Sequence, residues 1–484
     1  MLDLHGNSLK REVCPDGSPD ENVFDIRRGV AIVFLVKRGQ KAGPGKCALY
    51  HAELWGKRQA KYRWLRSHGF ANTPWKRLGP NPELYLFVPR TGTGLDVYES
   101  FVKLTDIFQV YSVGIVTARD NLTIRWTSYD VWTTVLNFSK MDPELARHAY
   151  ELGSKVTTKR IKQAQEDLSK TGPSRDRIVP ILYRPFDVRY SYYTGKPNGF
   201  HERPRPEVMR HMLSGKNVAL ITPRRVEHVG SWQHAFVTNV ITEHVAVSLK
   251  TIDYHFPLYI YPSAGQQDDC LECVRGGCGL MLFEPPSAYG VRKHNLNPTL
   301  VNTLAIAYGV EPSPEDILNY IYAVLYTPLY REKYADSLRR DFPRIPFPRA
   351  KGVFGKMAKL GRKLVELHLL VAPAFGRPAA KFHGHGDNKV AKGRQGLRYD
   401  PATKRVYINP AQYFAPVPTE VWEYRTGGYQ VCEKWLKDRT ERTLSLDEIR
   451  TYLKVVTALT RTLGIQEELD TVYLAVEADL LEVK

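Results

Sequence analysis

Leu182-Tyr-Arg-Pro-Phe-Asp-Val-Arg189 is the stretch on which the reading of this chain turns. It joins two strand-like runs, Ile181–Tyr183 and Val188–Tyr193, through a short turn signal at Pro185. Arg184 and Asp187, of opposite charge on either side of the turn, are expected to pair and lock a β-corner. Downstream, Val218–Ile221, Phe236–Val240 and Phe256–Tyr261 repeat the pattern with turn residues between them, so residues 181–262 read as mainly β structure.

Further along, the pattern turns helical. Ser313-Pro314-Glu315-Asp316 supplies an N-cap, a proline at the first helical position and acids in the first turn, and Ile317, Ile321, Val324 and Leu325 follow at helical spacing. Phe354, Met357, Leu360, Leu364, Leu367 and Leu370 mark an amphipathic helix. Ser445 with Glu448 predicts a capping box ahead of Ile449, Leu453, Val456 and Leu459. Upstream, Gly29–Lys37 is a continuous apolar run of strand length and predicts a strand buried on both faces of an α/β sheet. Residues 67–110, rich in Pro and Gly, read as a connector.

The chain has 484 residues, enough for roughly two or three domains. Its charge is unusual: 69 Lys and Arg against 51 Asp and Glu give +18, which points to a polyanionic partner. Residues 331–405 concentrate it, with 19 basic against 6 acidic side chains, interleaved with Tyr334, Phe342, Phe347, Phe354, Phe382 and Tyr399. The longest apolar run, Gly29–Val36, is far short of the ~20 residues of a membrane span. The N-terminus has no signal-peptide core, and six cysteines make no disulfide framework, so a reducing cytoplasm is the expected compartment.

Three longer stretches carry a family resemblance. The first is Leu2-Asp-Leu-His-Gly-Asn7 with Asp20-Glu-Asn-Val-Phe-Asp-Ile-Arg-Arg-Gly-Val-Ala-Ile32. The second is the opening stretch with Phe256-Pro-Leu-Tyr259. The third runs from Asp316-Ile-Leu-Asn-Tyr-Ile-Tyr322 through Tyr330-Arg331 and Asp341-Phe-Pro-Arg-Ile-Pro346 to Val421-Trp-Glu-Tyr-Arg-Thr-Gly-Gly-Tyr429 and Lys434-Trp-Leu-Lys-Asp-Arg439. Together they resemble the C-terminal part of the single-polypeptide (Type ISP) restriction–modification enzymes and related adenine-specific DNA methyltransferases. The resemblance implies a mixed α/β chain: terminal strands of a Rossmann-like methyltransferase sheet, then a large α+β target-recognition region. On that reading residues 1–66 are the methyltransferase remnant and 67–104 a connector. Residues 105–310 are the β-rich half of the recognition region and 311–484 its helical half.

The family's chemistry is methyl transfer from S-adenosylmethionine to the exocyclic amine of a flipped-out adenine. Neither motif that carries it is present: Pro285-Pro286 follows Glu284 rather than Asn or Asp, and Gly92-Thr-Gly94 follows no convincing first strand. The chain alone is therefore expected to bind duplex DNA without transferring a methyl group, the missing motifs lying in an upstream methyltransferase or helicase–nuclease portion or subunit. The resemblance gives Phe24 the position of an aromatic that stacks on the flipped base, a contact worth roughly 1–3 kcal/mol. A DNA- or RNA-binding protein that keeps only the recognition scaffold is the alternative.

Arg339, Arg340, Arg344 and Arg349 are the expected phosphate contacts, on the argument that Asp341–Pro346 is extended and presents its side chains outward. Arg203, Arg205, Arg224 and Arg225 sit beside turns and could read guanine edges or pair with Glu202, Glu207 and Glu227. Around Gly427-Gly428, whose glycines allow positive φ or close backbone approach, Arg425, Lys434, Lys437 and Arg439 are candidate phosphate ligands, and Trp435 reads as core. Cys270, Cys273 and Cys278, with His255 or His294, form part of a zinc pattern, though a loop with free thiols is the preferred reading. Asp470 with Glu482 and Lys484 only superficially matches a nuclease, since Gln466–Leu481 reads as helix. His383-Gly-His385-Gly-Asp387 reads as a flexible basic loop.

Overall fold

The computed structural model describes residues 1–8, 12–36, 48–79, 87, 95–227, 231–262, 292–371, 375–393 and 396–483. It is mixed α/β and divides into two compact units, Met1–Leu95 and Asp96–Lys484.

The first unit is built on a four-stranded sheet in the order Ala31–Ile32, Leu2–Asp3, Leu49–Glu53 and Lys76–Leu78, with Leu2–Asp3 and Leu49–Glu53 parallel. The helix Arg58–Ser67 reaches this sheet through Lys61, which is wholly buried. Its ammonium donates to the carbonyls of Leu4 and Glu21 and pairs with the equally buried Asp20 at 2.7 Å. Asp20 in turn accepts from the amides of Gly6 and Gly56. Gly6 has φ +83°, and a Cβ there would lie 2.4 Å from Asn22 Cα, so the Leu2–Asn7 and Asp20–Ile32 stretches interlock at a position only glycine fills. The expected doubly buried strand does not form. Ala31–Ile32 pairs with Leu2–Asp3, and Val30 exchanges backbone hydrogen bonds with Leu4 and His5. Val33–Val36 leaves the sheet exposed, Leu35 at 88%.

In the second unit, the hairpin Ile178–Arg184 and Asp187–Tyr192 forms a three-stranded sheet with Ile241–Thr242. Beside it lies an antiparallel sheet of Phe236–Thr238, Ala219–Pro223, Asp253–Pro257 and Ser112–Val113. The helix Pro314–Tyr326, capped by Ser313 on the Asp316 amide as its sequence predicts, is buried on every side from Ile317 onward. Its tyrosines survive burial by donating: Tyr320 to the Pro346 carbonyl and Tyr326 to that of Ala235, while Tyr322 bonds His368 Nδ1 at 2.6 Å. Lys351–His368 crosses it closely at Gly361, where a Cβ would lie 1.9 Å from the Asn319 carbonyl oxygen.

The last helix, Leu446–Ala478, runs 33 residues behind the expected Ser445–Glu448 capping box. Near its start Tyr452 packs on Phe414 and Trp435. Toward its end Asp470 accepts the Leu329 amide, and Glu477 accepts from Tyr334 and pairs with Lys333.

Two features were not anticipated. Residues 128–171 hold three helices, Ser128–Lys140, Pro143–Ala149 and Thr158–Thr171, within the stretch read as β-rich. Their caps, Thr127 with Asp130, Asp142 before Pro143, and Thr157, bring Val131, Val135, Phe138, Ile161 and Leu168 into a separate core. Residues 381–415 hold an antiparallel sheet in the order Lys381–His383, Tyr413–Ala415, Arg405–Tyr407 and Arg398–Asp400. Among the described residues no helix is long and apolar enough to cross a membrane.

Candidate nucleic-acid interface

The corner that opened the sequence reading is a buried charged assembly in the second unit. Phe186 takes φ 62°, and Arg184 and Asp187 are register partners across the hairpin, yet their side chains do not pair with each other. Arg184 pairs with the buried Glu243 at 3.0 Å. Asp187 accepts from Arg189 and Arg439, each at 2.8 Å. Burial would raise the Asp187 pKa, but the two guanidiniums hold it below the ordinary aspartate value. The corner is locked by separate partners drawn from remote segments.

Arg439 is therefore not a phosphate ligand. It is buried, donating to Asp187, Glu448 and the Trp435 carbonyl, with its guanidinium 3.4 Å from the Trp435 ring centroid. Trp435 is core, as expected. Lys434 pairs with Asp438 one helical turn on, while Lys437 and Arg425 are exposed. Between them Gly427, at φ +56°, lies so close to the Val247 carbonyl that a Cβ would approach it to 2.2 Å. Gly428 abuts the Ser248 side chain and donates its amide to the Val247 carbonyl, so the glycines let this turn approach Val247 and Ser248 closely.

Arg224 and Arg225 do come together with the arginines expected on phosphate. The Val226 amide donates to the Arg339 carbonyl, and Asp341 bonds both Arg224 at 2.9 Å and Lys103 at 2.6 Å. Burial opposes the ionised Asp341, but these two cations lower its pKa below the ordinary value. Tyr111, partly exposed, packs against Phe256 and Phe342 beside them. The expected outward presentation of Asp341–Pro346 is not what forms. Phe342, Ile345 and Phe347 are buried, Arg344–Ile345 pairs with Val102–Lys103, and Arg344 donates to the Glu99 and Phe101 carbonyls. Arg339 and Arg340 end a short helix, Ala335–Arg340, and Arg339 pairs with Asp336. Arg349 is exposed and pairs with Asp479 at 3.2 Å.

Arg203 is exposed, its backbone bridged to Val116. Arg205, at φ 56°, precedes the helix Pro206–Leu213 and lies 3.9 Å from Glu207, the partner considered for it, while Glu202 pairs with Arg160. The aromatics expected to interleave with the basic surface face inward: Tyr334, Phe342, Phe347 and Phe354 are core, and Phe382 and Tyr399 pack against it. What remains outward along 351–363 is one face of the helix Lys351–His368, carrying Lys351, Lys356, Lys359, Arg362 and Lys363.

In the first unit Phe24 is 57% exposed. Its amide donates to Asn22 Oδ1 and its carbonyl accepts from Arg58, so the backbone that presents the ring is fixed on both sides. Cys270, Cys273 and Cys278 lie outside the described residues. His255, considered with them, is buried, which lowers its pKa to about 3. Among the described residues no group of His, Cys, Asp and Glu has metal-site geometry.

Residues 106–468 match the family described as the Type ISP C-terminal specificity domain, and the chain belongs to that family. No curated protein sequence matches it. Among solved structures, the DrdV–DNA complex is similar with a TM-score of 0.64 and 23% identity over 97% of this chain and 47% of that one. A nuclease-deletion mutant of the Type ISP restriction–modification enzyme LlaGI, in complex with a DNA substrate mimic, gives 0.60 and 19% over 97% and 43%. The ATP-dependent Type ISP restriction–modification enzyme LlaBIII bound to DNA gives 0.61 and 18% over 97% and 30%. The chain thus spans less than half the length of each.

Proposed function

We propose that this chain recognises duplex DNA as the specificity part of a Type ISP restriction–modification enzyme. The observation that carries the reading is the family match over residues 106–468, which falls within one folded unit whose solved relatives were captured with DNA. The basic surface supports it, since exposed lysines and arginines that neutralise phosphates supply sequence-independent affinity. Residues 1–66 then belong to the end of an adenine methyltransferase's Rossmann-like sheet. Supporting this are the parallel pairing of Leu2–Asp3 with Leu49–Glu53 and the exposed apolar residues Val33–Val36, which a larger sheet would cover. Phe24 keeps its assigned place as the aromatic for the flipped adenine. S-adenosylmethionine chemistry needs loops that this sequence does not carry, so methyl transfer falls to a partner portion or subunit that supplies them.

The test is binding of a labelled duplex by the chain at rising salt. Affinity should fall steeply between about 50 and 200 mM, as counterion release requires. Unchanged affinity across that range, or a strong preference for single-stranded RNA, would overturn the reading. Adenine methylation by the chain alone with S-adenosylmethionine would overturn the division of labour.

A further inference from the structure

Most arginines that the sequence singles out are engaged by carboxylates or carbonyls of the protein itself. The small sheet formed by Lys381–His383, Tyr413–Ala415, Arg405–Tyr407 and Arg398–Asp400 is built differently. One face carries Phe382, Phe414, Val406 and Tyr399 into the core. By strand alternation the other face carries Lys381, His383, Arg398, Arg405, Tyr407 and Tyr413. His383, Tyr413, Tyr407 and Arg398 are successive register partners, so they stand in one row across the four strands.

Within that row the Arg398 guanidinium lies 3.9 Å from the Tyr407 ring centroid, and from the adjacent row that of Arg405 lies 4.5 Å from Tyr413. His383 stacks on Tyr413 at 5.2 Å. Neither arginine forms an ion pair with a carboxylate among the described residues. Asp400, the register partner of Arg405, acts on it electrostatically but gives its hydrogen bonds to its own turn, accepting from the Thr403 hydroxyl and the Ala402 amide. Holding a guanidinium on a ring face fixes its direction without neutralising it and leaves most of its in-plane N–H groups available; only Arg405 gives one, to the Tyr407 hydroxyl at 3.3 Å. The edge of the sheet is held as firmly. A Cβ at Gly384, φ +92°, would lie 2.1 Å from the Ala411 carbonyl oxygen, and Gly386 abuts the Gln412 side chain. The exposed loop that follows His383 thus passes close to Ala411 and Gln412.

We propose that this outer face seats the phosphate backbone of the DNA, with Arg398 and Arg405 as forked phosphate ligands oriented by Tyr407 and Tyr413, and Lys381 beside them. The assignment rests on the DNA-binding reading and adds the surface and the residues. Ring-held arginines offer charge and direction together, which a phosphodiester rewards.

The experiment compares the full chain with the double variant Arg398→Gln, Arg405→Gln on a labelled duplex over a salt series. Losing two phosphate contacts should make the slope of log affinity against log salt shallower by about 1.8, at 0.9 per contact. The double variant Tyr407→Leu, Tyr413→Leu keeps both charges, so it should bind several-fold more weakly with a near-parental slope, while Tyr407→Phe should bind as the parent does. Thermal melting of each variant establishes that the sheet has formed. A parental slope and affinity in the folded arginine variant would overturn this assignment and leave the DNA reading intact. Failure of the parent chain to bind duplex would overturn both.

Discussion

The Asp187 corner and the Lys381–Ala415 sheet both concentrate arginine and aromatic side chains, and they treat the charge in opposite ways. At the corner, Arg189 and Arg439 converge on one buried carboxylate, with Trp126 and Trp435 as walls. On the sheet, Arg398 and Arg405 rest on tyrosine faces with no carboxylate in the pair. The first arrangement cements a fold and leaves nothing for a ligand. The second holds its cations in position on ring faces without a direct ion pair, although Arg405 feels the charge of Asp400 across the strands. An arginine's availability is decided by what it is already touching, so a basic, aromatic-rich sequence can encode either one.

The sharpest way to separate the two is acid. His201, which bonds Ser191 on the hairpin, and His368, edge-on to Phe186, are buried around the corner, and His255 lies in the adjoining sheet. Burial lowers each pKa to about 3. Between that value and the ordinary ~6.5 the folded state binds fewer protons than the unfolded chain, so stability rises with pH and is lost as pH falls below 6.5. Three such groups together approach on the order of 4 kcal/mol per pH unit toward pH 5, with a much shallower slope near pH 7, readable as the denaturant midpoint of the second unit across pH 5–7. A flat profile there would mean that these histidines are hydrated rather than buried.

Next in size is Arg439→Gln, which strands Asp187 with a single cation. It should cost about 3–5 kcal/mol of folding stability, measured by equilibrium unfolding. The smallest effect belongs to the sheet: Arg398→Gln removes one exposed cation–π contact and should lower stability by no more than about 1 kcal/mol. Should the two substitutions destabilise equally, the contrast drawn between the regions would collapse.

Local chemistry made much of the helical frame legible. Ser313, Ser445 and the spacing from Phe354 to Leu367 each announce a helix within a few residues, because caps and periodicity are short-range signals. The helices between 128 and 171 carried the same signals in Thr127, Asp142 and Thr157. The four strands between 381 and 415 are three residues each, too short for alternation to stand out. The interface was harder still. Arg439 meets Asp187 across 252 residues of chain, and Arg224 meets Asp341 across 117. No local pattern reveals that such an arginine is already engaged. Phe24 could be singled out only through the resemblance of Asp20–Ile32 to a family stretch; that Asn22 and Arg58 hold its backbone with the ring exposed depends on a contact across 34 residues that no local pattern shows.

The long helix Leu446–Ala478 has a metric consequence. Tyr452 lies under the sheet that carries Arg398 and Arg405, and Glu477 holds Lys333 and Tyr334, a few residues before Arg339 and Arg340. At ~1.5 Å per residue the rise between those two anchor points is roughly 40 Å, close to the ~34–36 Å of one turn of duplex. The continuous helix therefore sets the spacing of these two anchor points. Inserting or deleting a turn within it would alter their separation by about 5 Å and rotate them little, a change of spacing rather than of charge.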